Sequence, residues 1–557
     1  MKKGSEYYLG LDIGTDSVGY AVTDAAYRLQ KYKGEPMWGS LLFDAATGAA
    51  ERRAYRTARR RIDRRQQRVQ LLQELFAPEI ARVDPNFFIR RQQSALQGAD
   101  AAFGVRLFAG PGLTDEEYHR QYPTIHHLIC QLMTGTQPQD IRLVYLACAW
   151  LVAHRGHFLY DIPNDNIEEI LSGFEKVYQE LTQYLDGLGQ ALPWCDKANA
   201  AQLLCEILQK DVGVREKADA IKKNLFDRKL DKTAQDERFP YSEEAVVRLL
   251  AGGAVKPADL FCREEYKEAD SVSLEMDETE FLRIAAELGE DGELLTHVRA
   301  VHNGAKLLSI MHGEKLLSFA KVAVYEQHRA DLRLLKRFVK KYCPQRYDEI
   351  FRVAKKGVPN YVSYTKNVKS VKPAQKSGKD WEDFKGCKKE DFCDYLRKEL
   401  KKELDKVPPE RMDEADKALW ADMQARLEAY TFLPKQRDAD NRVIPQQLYR
   451  MELKRLLQQA AVYTPLLRQQ DADDLTVQEK ILSIFDFRVP YYVGPLKENG
   501  GRNTWLVRKA SGRILPWNFD EKVDKDASER NFINRMTNTC TYLPGEKVLP
   551  EHSLLYE

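Results

Sequence analysis

Two sets of side chains have spacings that point to chemistry. Asp12 lies in the run YYLGLDIGTDSVGYAVT, with Gly10 and Gly14 two residues to either side. A carboxylate inside an apolar strand is costly to bury unless it is paired or bound to a cation. Flanking glycines let a phosphate or another backbone come close. Such an acid suits phosphoryl chemistry in which carboxylates hold Mg2+ or Mn2+. A turn-capping carboxylate is the plainer alternative, more so for Asp16, which falls in the turn itself.

The second set is arginine. Nine lie between Arg52 and Arg68 against one acid, Asp63, a net +8 in that window. Arg52, Arg56, Arg60, Arg64 and Arg68 recur at every fourth position, and Arg53, Arg61 and Arg65 fall beside them. On a helix each step of four advances about 6 Å and overshoots a full turn by about 40°, so the five form one slowly winding row. Arginines at this density repel one another and call for an anion, and the guanidinium fork matches phosphate oxygens better than an ammonium does. A solvated charge run or a targeting patch would rarely set its arginines in regular rows. The pattern predicts a helix lying along a nucleic-acid backbone.

These residues need elements to hold them. Residues 7–23 read as two β-runs around a tight turn at Gly14–Ser17, and Trp38–Phe43 as a third run. Three strands with no helices between them open a sheet without completing a domain. Residues 51–76 have no Pro or Gly and favour helix. From Asp84 the pattern is mainly helical, with two runs in Tyr122–Tyr160 broken at Gly135–Pro138. Further helices come across 164–290, with a break at Gly252-Gly253, then over 304–342 and over a mixed-charge, solvent-facing stretch at 388–430. His154 and His157 have no acid or cysteine nearby to complete a metal site. Arg352 and seven lysines up to Lys379, with Tyr361 and Tyr364 interleaved and no acid, could track a backbone and stack on bases. A solvated loop fits that stretch equally well.

Composition bounds the rest. The 557 residues carry a net charge of +2, so without the arginine window the remainder is near −6: basicity is local, as in a dedicated binding element. The nine cysteines form no CxxC pair, which reads as reduced thiols in a cytosolic protein. MKKGSEYYLG has no signal-peptide core, and the longest apolar run, Leu143–Ala153, is too short to span a bilayer. The expectation is no membrane association.

The motifs taken together resemble the type II CRISPR RNA-guided DNA endonucleases (Cas nine). GLDIGTDSVGYAV at 10–22 is similar to that family's first RuvC motif, and RTARRRIDRRQQRV at 56–69 to its arginine-rich bridge helix. YPTIHHL at 122–128, RGHFL at 155–159, FLPKQRDADNRVIPQQL at 432–448, FRVPYYVGPL at 487–496, PWNF at 516–519, RMTN at 535–538 and EKVLPEHSLLYE at 546–557 resemble the recognition lobe, in family order.

The resemblance implies a mixed, mostly α fold. It would hold RNase H-like (RuvC) strands at 1–49, a bridge helix at 50–83, and recognition-lobe segments at 84–165, 166–295 (a helical insertion), 296–535 and 536–557. It implies as partners a CRISPR guide RNA, a trans-activating RNA and target DNA, bound by a monomer in the bacterial cytoplasm for antiviral defence, with sequence read by base pairing. It makes Asp12 a RuvC metal ligand for Mg2+ or Mn2+. Arg53, Arg56, Arg60, Arg64 and Arg68 become holders of guide phosphates, and Arg155 touches the guide's repeat portion. Arg488 and Tyr491 approach the guide–target duplex, and Asn538 the target-strand backbone. The family's other RuvC carboxylates and its HNH domain have no counterpart in these 557 residues. The expectation is an N-terminal portion that does not cleave DNA by itself.

Two other functions compete. The DxGT turn also opens the phosphate loop of actin-like ATPases and sugar kinases, but those proteins do not continue into an unbroken arginine helix. A stand-alone RNA-binding helical protein would leave the RuvC-like opening unexplained.

Overall fold

The computed structural model describes residues 7–14, 17–43, 49–92, 106–108, 113–156, 173–187, 199–210, 212–226, 229–230, 241–276, 278–367, 371, 376, 384–408, 411–436, 438–470, 474–490 and 506–536. The chain divides into two compact units, one of residues 1–68 with 487–557 and one of residues 69–486.

In the first unit, β1 (Tyr8–Ile13), β2 (Ser17–Thr23) and β3 (Trp38–Leu42) form an antiparallel sheet in the order β1-β2-β3. Asp12 pairs with Gly19 and Leu11 with Tyr20 across the first ladder, and Gly14 N–H donates to the Ser17 carbonyl at 2.8 Å to close the hairpin. The strand positions match the three β-runs and the turn read from the sequence. The sheet buries little: Leu9, Leu11, Ile13, Leu41 and Leu42 are all more than half exposed. The same unit holds a small core of Ile514, Phe519 and Val523, joined by Phe487, Val489 and Leu506.

Helix α1 runs unbroken from Ala49 to Val83, 35 residues, or about 52 Å. Its composition changes at Arg68, where the two units divide. Beyond that point Leu71, Leu72, Phe76 and Ile80 are buried at the three- and four-residue spacing of a core-facing stripe.

The second unit is helical. α2 (Ile125–Thr134) and α3 (Ile141–Ala153) pack together, and Tyr145 of α3 meets Phe76 edge-on at 5.6 Å. α4 (Gly292–Met311) serves as the wall for helices Gly173–Gly187 and Ala200–Gln209. α5 (Leu317–Tyr342) and α8 (Gln446–Ala460) both pack on α2. Between those two in sequence, α6 (Lys389–Leu404) and α7 (Glu414–Glu428) are not simply solvent-facing, as their charge suggests. Phe392, Leu396, Leu400, Met423 and Leu427 are fully buried and share a core with Phe338 and Leu335 of α5. α9 (Val477–Asp486) ends the unit. Among the described residues, no helix is long and apolar enough to cross a membrane.

Candidate nucleic-acid interface

The arginine helix is basic over its first part because nothing apolar there demands burial. From Tyr55 to Arg68 no side chain among the described residues is buried. Arg56, Arg60, Arg64 and Arg68 are half-buried, whereas Arg59, Arg61 and Arg65 are exposed. The two rows read from the sequence thus sit in different surroundings, and the four-residue row is the more enclosed. The Arg53 backbone is helical and its side chain lies outside the described residues.

The far end of α1 is tied down by charge as well as packing. Asp84, just past the helix, is buried and paired with Arg90 and with Arg142, whose Nη1 lies 3.1 Å away. Arg142 also grips Asp140 at 2.6 Å and places its guanidinium 5.2 Å from the centre of the Phe108 ring. Two carboxylates satisfy this guanidinium, which is 1 % exposed. Removing either would leave part of this buried guanidinium without an acceptor.

Arg155 comes just after the end of α3. Its guanidinium stacks 5.8 Å over Phe485, and Nη2 donates to the Asp486 carbonyl at 3.4 Å. Asp486 is itself held by Arg450 Nε at 2.8 and 2.9 Å. Arg155 therefore sits against the carbonyl end of α9, where a helix favours positive charge. The next residue explains the glycine in RGHFL. Gly156 has φ +70°, and a Cβ there would lie 2.5 Å from the Ile444 carbonyl oxygen. His154 has its ring stacked on Trp150 at 4.6 Å and Nδ1 donating to the Trp150 carbonyl at 2.8 Å. It closes the C-terminal end of α3.

Asp12 is exposed on β1, and a Cβ at its partner Gly19 would lie 3.5 Å from its own. Among the described residues no three His, Cys, Asp or Glu side chains converge as a metal site. Asp12 by itself does not fit a two-ion centre. Arg488 is exposed. Tyr491 and Asn538 lie outside the described residues.

One expectation is corrected. Tyr361 and Tyr364 are not available to stack on bases. Tyr364 is 2 % exposed, stacked on Phe392 at 4.5 Å with its hydroxyl donating to the Leu433 carbonyl at 2.9 Å. The Tyr361 hydroxyl meets His328 Nε2 at 2.9 Å. Both rings belong to the α5–α6 core.

A buried polar cluster went unread in the sequence. Glu452 of α8 accepts from Ser318 N at 2.6 Å and from Ser318 Oγ at 2.8 Å, and His126 Nδ1 lies 2.9 Å from the same hydroxyl. The Ser318 hydroxyl thus bridges Glu452 and His126, and Ser318 and Glu452 are fully buried. The cluster is a bolt joining α2, α5 and α8. Burial pushes the Glu452 carboxyl up to about 7, partly offset by Ser318, and pushes His126 down to about 3. The residues are 134 and 192 positions apart, so only the fold reveals them.

Residues 52–84 match the family described as the bridge helix of CRISPR-associated endonuclease Cas9, and residues 277–557 the one described as its REC lobe. The chain is 34 % identical over 584 residues to the CRISPR-associated endonuclease Cas9 of Listeria innocua serovar 6a, covering all of this chain and 39 % of the relative. It is 32 % identical over 589 residues to that of Streptococcus mutans serotype c, again over the whole chain and 38 % of the relative. The chain thus spans about two-fifths of the length of these relatives. With a basic helix anchored to a helical unit where the bridge-helix match falls, and the REC-lobe match covering half of its residues, this chain belongs to the CRISPR-associated endonuclease Cas9 family.

Proposed function

We propose that this chain is the guide-RNA- and target-DNA-binding part of an RNA-guided double-strand DNA endonuclease. The observation that carries the reading is α1. One helix offers arginines at every fourth position over its first part and buries an apolar stripe over its second. Arg53, Arg56, Arg60, Arg64 and Arg68 hold guide phosphates as positioning contacts that carry no base information. Arg155, kept in place by Phe485 and Asp486, contacts the repeat portion of the guide. Arg488, Tyr491 and Asn538 approach the guide–target duplex. The bridge helix occupies 50–83 and the recognition segments 84–165, 166–295 (a helical insertion), 296–535 and 536–557.

Binding of a guide RNA with its trans-activating RNA, measured against an unrelated structured RNA of equal length, tests this. Tighter binding of the guide supports the reading, and equal binding leaves only a general RNA binder.

Asp12 would contribute one carboxylate to a site for Mg2+ or Mn2+, whose bound ions would polarise a phosphodiester. One exposed carboxylate does not hold two ions, so no hydrolytic step is assigned to these residues. The purified chain is expected to show no nicking in Mg2+ or Mn2+. Metal-dependent nicking that Asp12→Ala abolishes would sink this part of the proposal.

A further inference from the structure

The turn that carries Arg155 is packed on the first part of α8. His154 stacks on Trp150, whose ring meets that of Tyr449 at 5.8 Å. On the other side, a Cβ on Gly156 would lie 3.0 Å from the Pro445 carbonyl carbon and 3.0 Å from the Tyr449 ring. The backbone before and after Arg155 is therefore held, and the guanidinium is left to its own side-chain torsions. Phe485 gives it a face at 5.8 Å, and the 3.4 Å bond to the Asp486 carbonyl is long for an N–H···O contact.

Asp486 carries a stronger acceptor than that carbonyl. Its carboxylate would hold a guanidinium by paired, charge-assisted bonds, each roughly twice as strong as a neutral one. That carboxylate is already engaged. Arg450, the residue after Tyr449 on α8, sets its Nε 2.8 and 2.9 Å from the two oxygens. The Arg450 side chain is 17 % exposed, so the pair is largely enclosed on that side. A carboxylate at the carbonyl end of a helix is also unfavourable without a cation beside it. One aspartate thus meets two guanidinium groups in different ways, Arg450 at its charge and Arg155 at its neutral carbonyl.

We infer that Arg450 is a positioning residue for guide binding: by holding the Asp486 carboxylate it keeps Arg155 from pairing there and leaves that guanidinium to an RNA phosphate. The inference rests on the proposed contact of Arg155 with the guide and extends it to a residue that touches no RNA. Carboxylate and phosphate compete for the same planar fork. An open carboxylate on the residue that Arg155 already touches would act as an internal competitor. Arg450 removes that competitor.

The test measures the affinity of the whole chain for a guide RNA with its trans-activating RNA, with the unfolding midpoint of each variant recorded beside it. Arg155→Ala should weaken binding about tenfold, the lower range for a hydrogen bond to a charged group. Arg450→Met should weaken it by about five- to tenfold, because Arg155 is drawn to Asp486. Adding Asp486→Asn to Arg450→Met should bring affinity back to within about twofold of the wild type, since the competitor is gone. In the Arg155→Ala background, Arg450→Met should change affinity by less than about twofold. If Arg450→Met misfolds, Arg450→Gln, which removes the charge and keeps an amide donor, takes its place with the same expectations. An unaltered affinity in Arg155→Ala removes the guide role of Arg155 and this inference with it. Three results would overturn the inference alone and leave the guide contact standing: a loss at Arg155→Ala with none at Arg450→Met, a loss that Asp486→Asn does not restore, or equal Arg450→Met losses with and without Arg155.

Discussion

The two parts of α1 share one backbone and little else. Up to Arg68 the helix is lined with guanidinium groups and buries no side chain among the described residues. After it, Leu71, Leu72, Phe76 and Ile80 are buried, and Asp84 locks into Arg142. Charge repulsion along the first part opposes folding, and the packing of the second part offsets it. A long surface helix ordinarily mixes both tasks around its girth. Separating them lengthwise lets the basic part be basic on all sides without losing its footing. Stability and phosphate binding should then respond to different substitutions.

The largest expected effect lies at the anchor. Phe76→Ala removes a fully buried ring and should cost about 3–5 kcal/mol in urea unfolding monitored by circular dichroism. A loss under about 1 kcal/mol would mean that the second part of α1 is not the helix's footing.

The bolt joining α2, α5 and α8 gives a pH-dependent effect of the order of 3 kcal/mol. In the folded state Glu452 keeps its proton up to about pH 7, and once unfolded it loses it near 4.5. Between those values the folded state binds more protons, so the Glu452 contribution to stability falls as pH rises. His126, pushed down to about 3, works in the opposite direction below 6.5, so the two nearly cancel from pH 4.5 to 6.5. The wild-type curve should be nearly flat there with respect to this pair. Subtracting the stability curve of Glu452→Gln from that of the wild type isolates the falling contribution. A difference that does not change with pH would refute it.

At the basic part, Arg60→Ala with Arg64→Ala should weaken guide binding while leaving the unfolding midpoint nearly unchanged. The slope of log affinity against log salt should flatten by about 1.4, for two single-strand phosphates released. An unchanged slope would remove the phosphate role. The smallest effect tests the helix's lone acid in that window: Asp63→Asn should leave guide affinity within about twofold, because one rim charge among nine arginines adds little. A larger change would mean that Asp63 orients a particular arginine.

What was legible in the sequence was local. Apolar runs and a tight turn placed β1, β2 and β3, and four-residue spacing placed the arginine rows, because both signals are local to the backbone. Charge density misled at α6, where Phe392, Leu396 and Leu400 form an apolar stripe between lysines and glutamates. It misled again at Tyr361 and Tyr364, whose basic neighbours suggested a surface while Phe392 drew the rings inward. The Glu452–Ser318–His126 bolt and the Arg450–Asp486–Arg155 contacts depend on partners brought together only by the fold, and no window of sequence shows them.

The anchor's reach along the chain has a consequence in time. Tyr145, which meets Phe76, lies 69 residues further on. At about 5–20 residues per second of synthesis, Phe76 waits roughly 3–14 s for that ring to be made. For those seconds the arginines are already outside the catalytic centre of the ribosome and have no finished lobe to hold them. Until then, the packing that offsets the charge repulsion along the arginine part is incomplete.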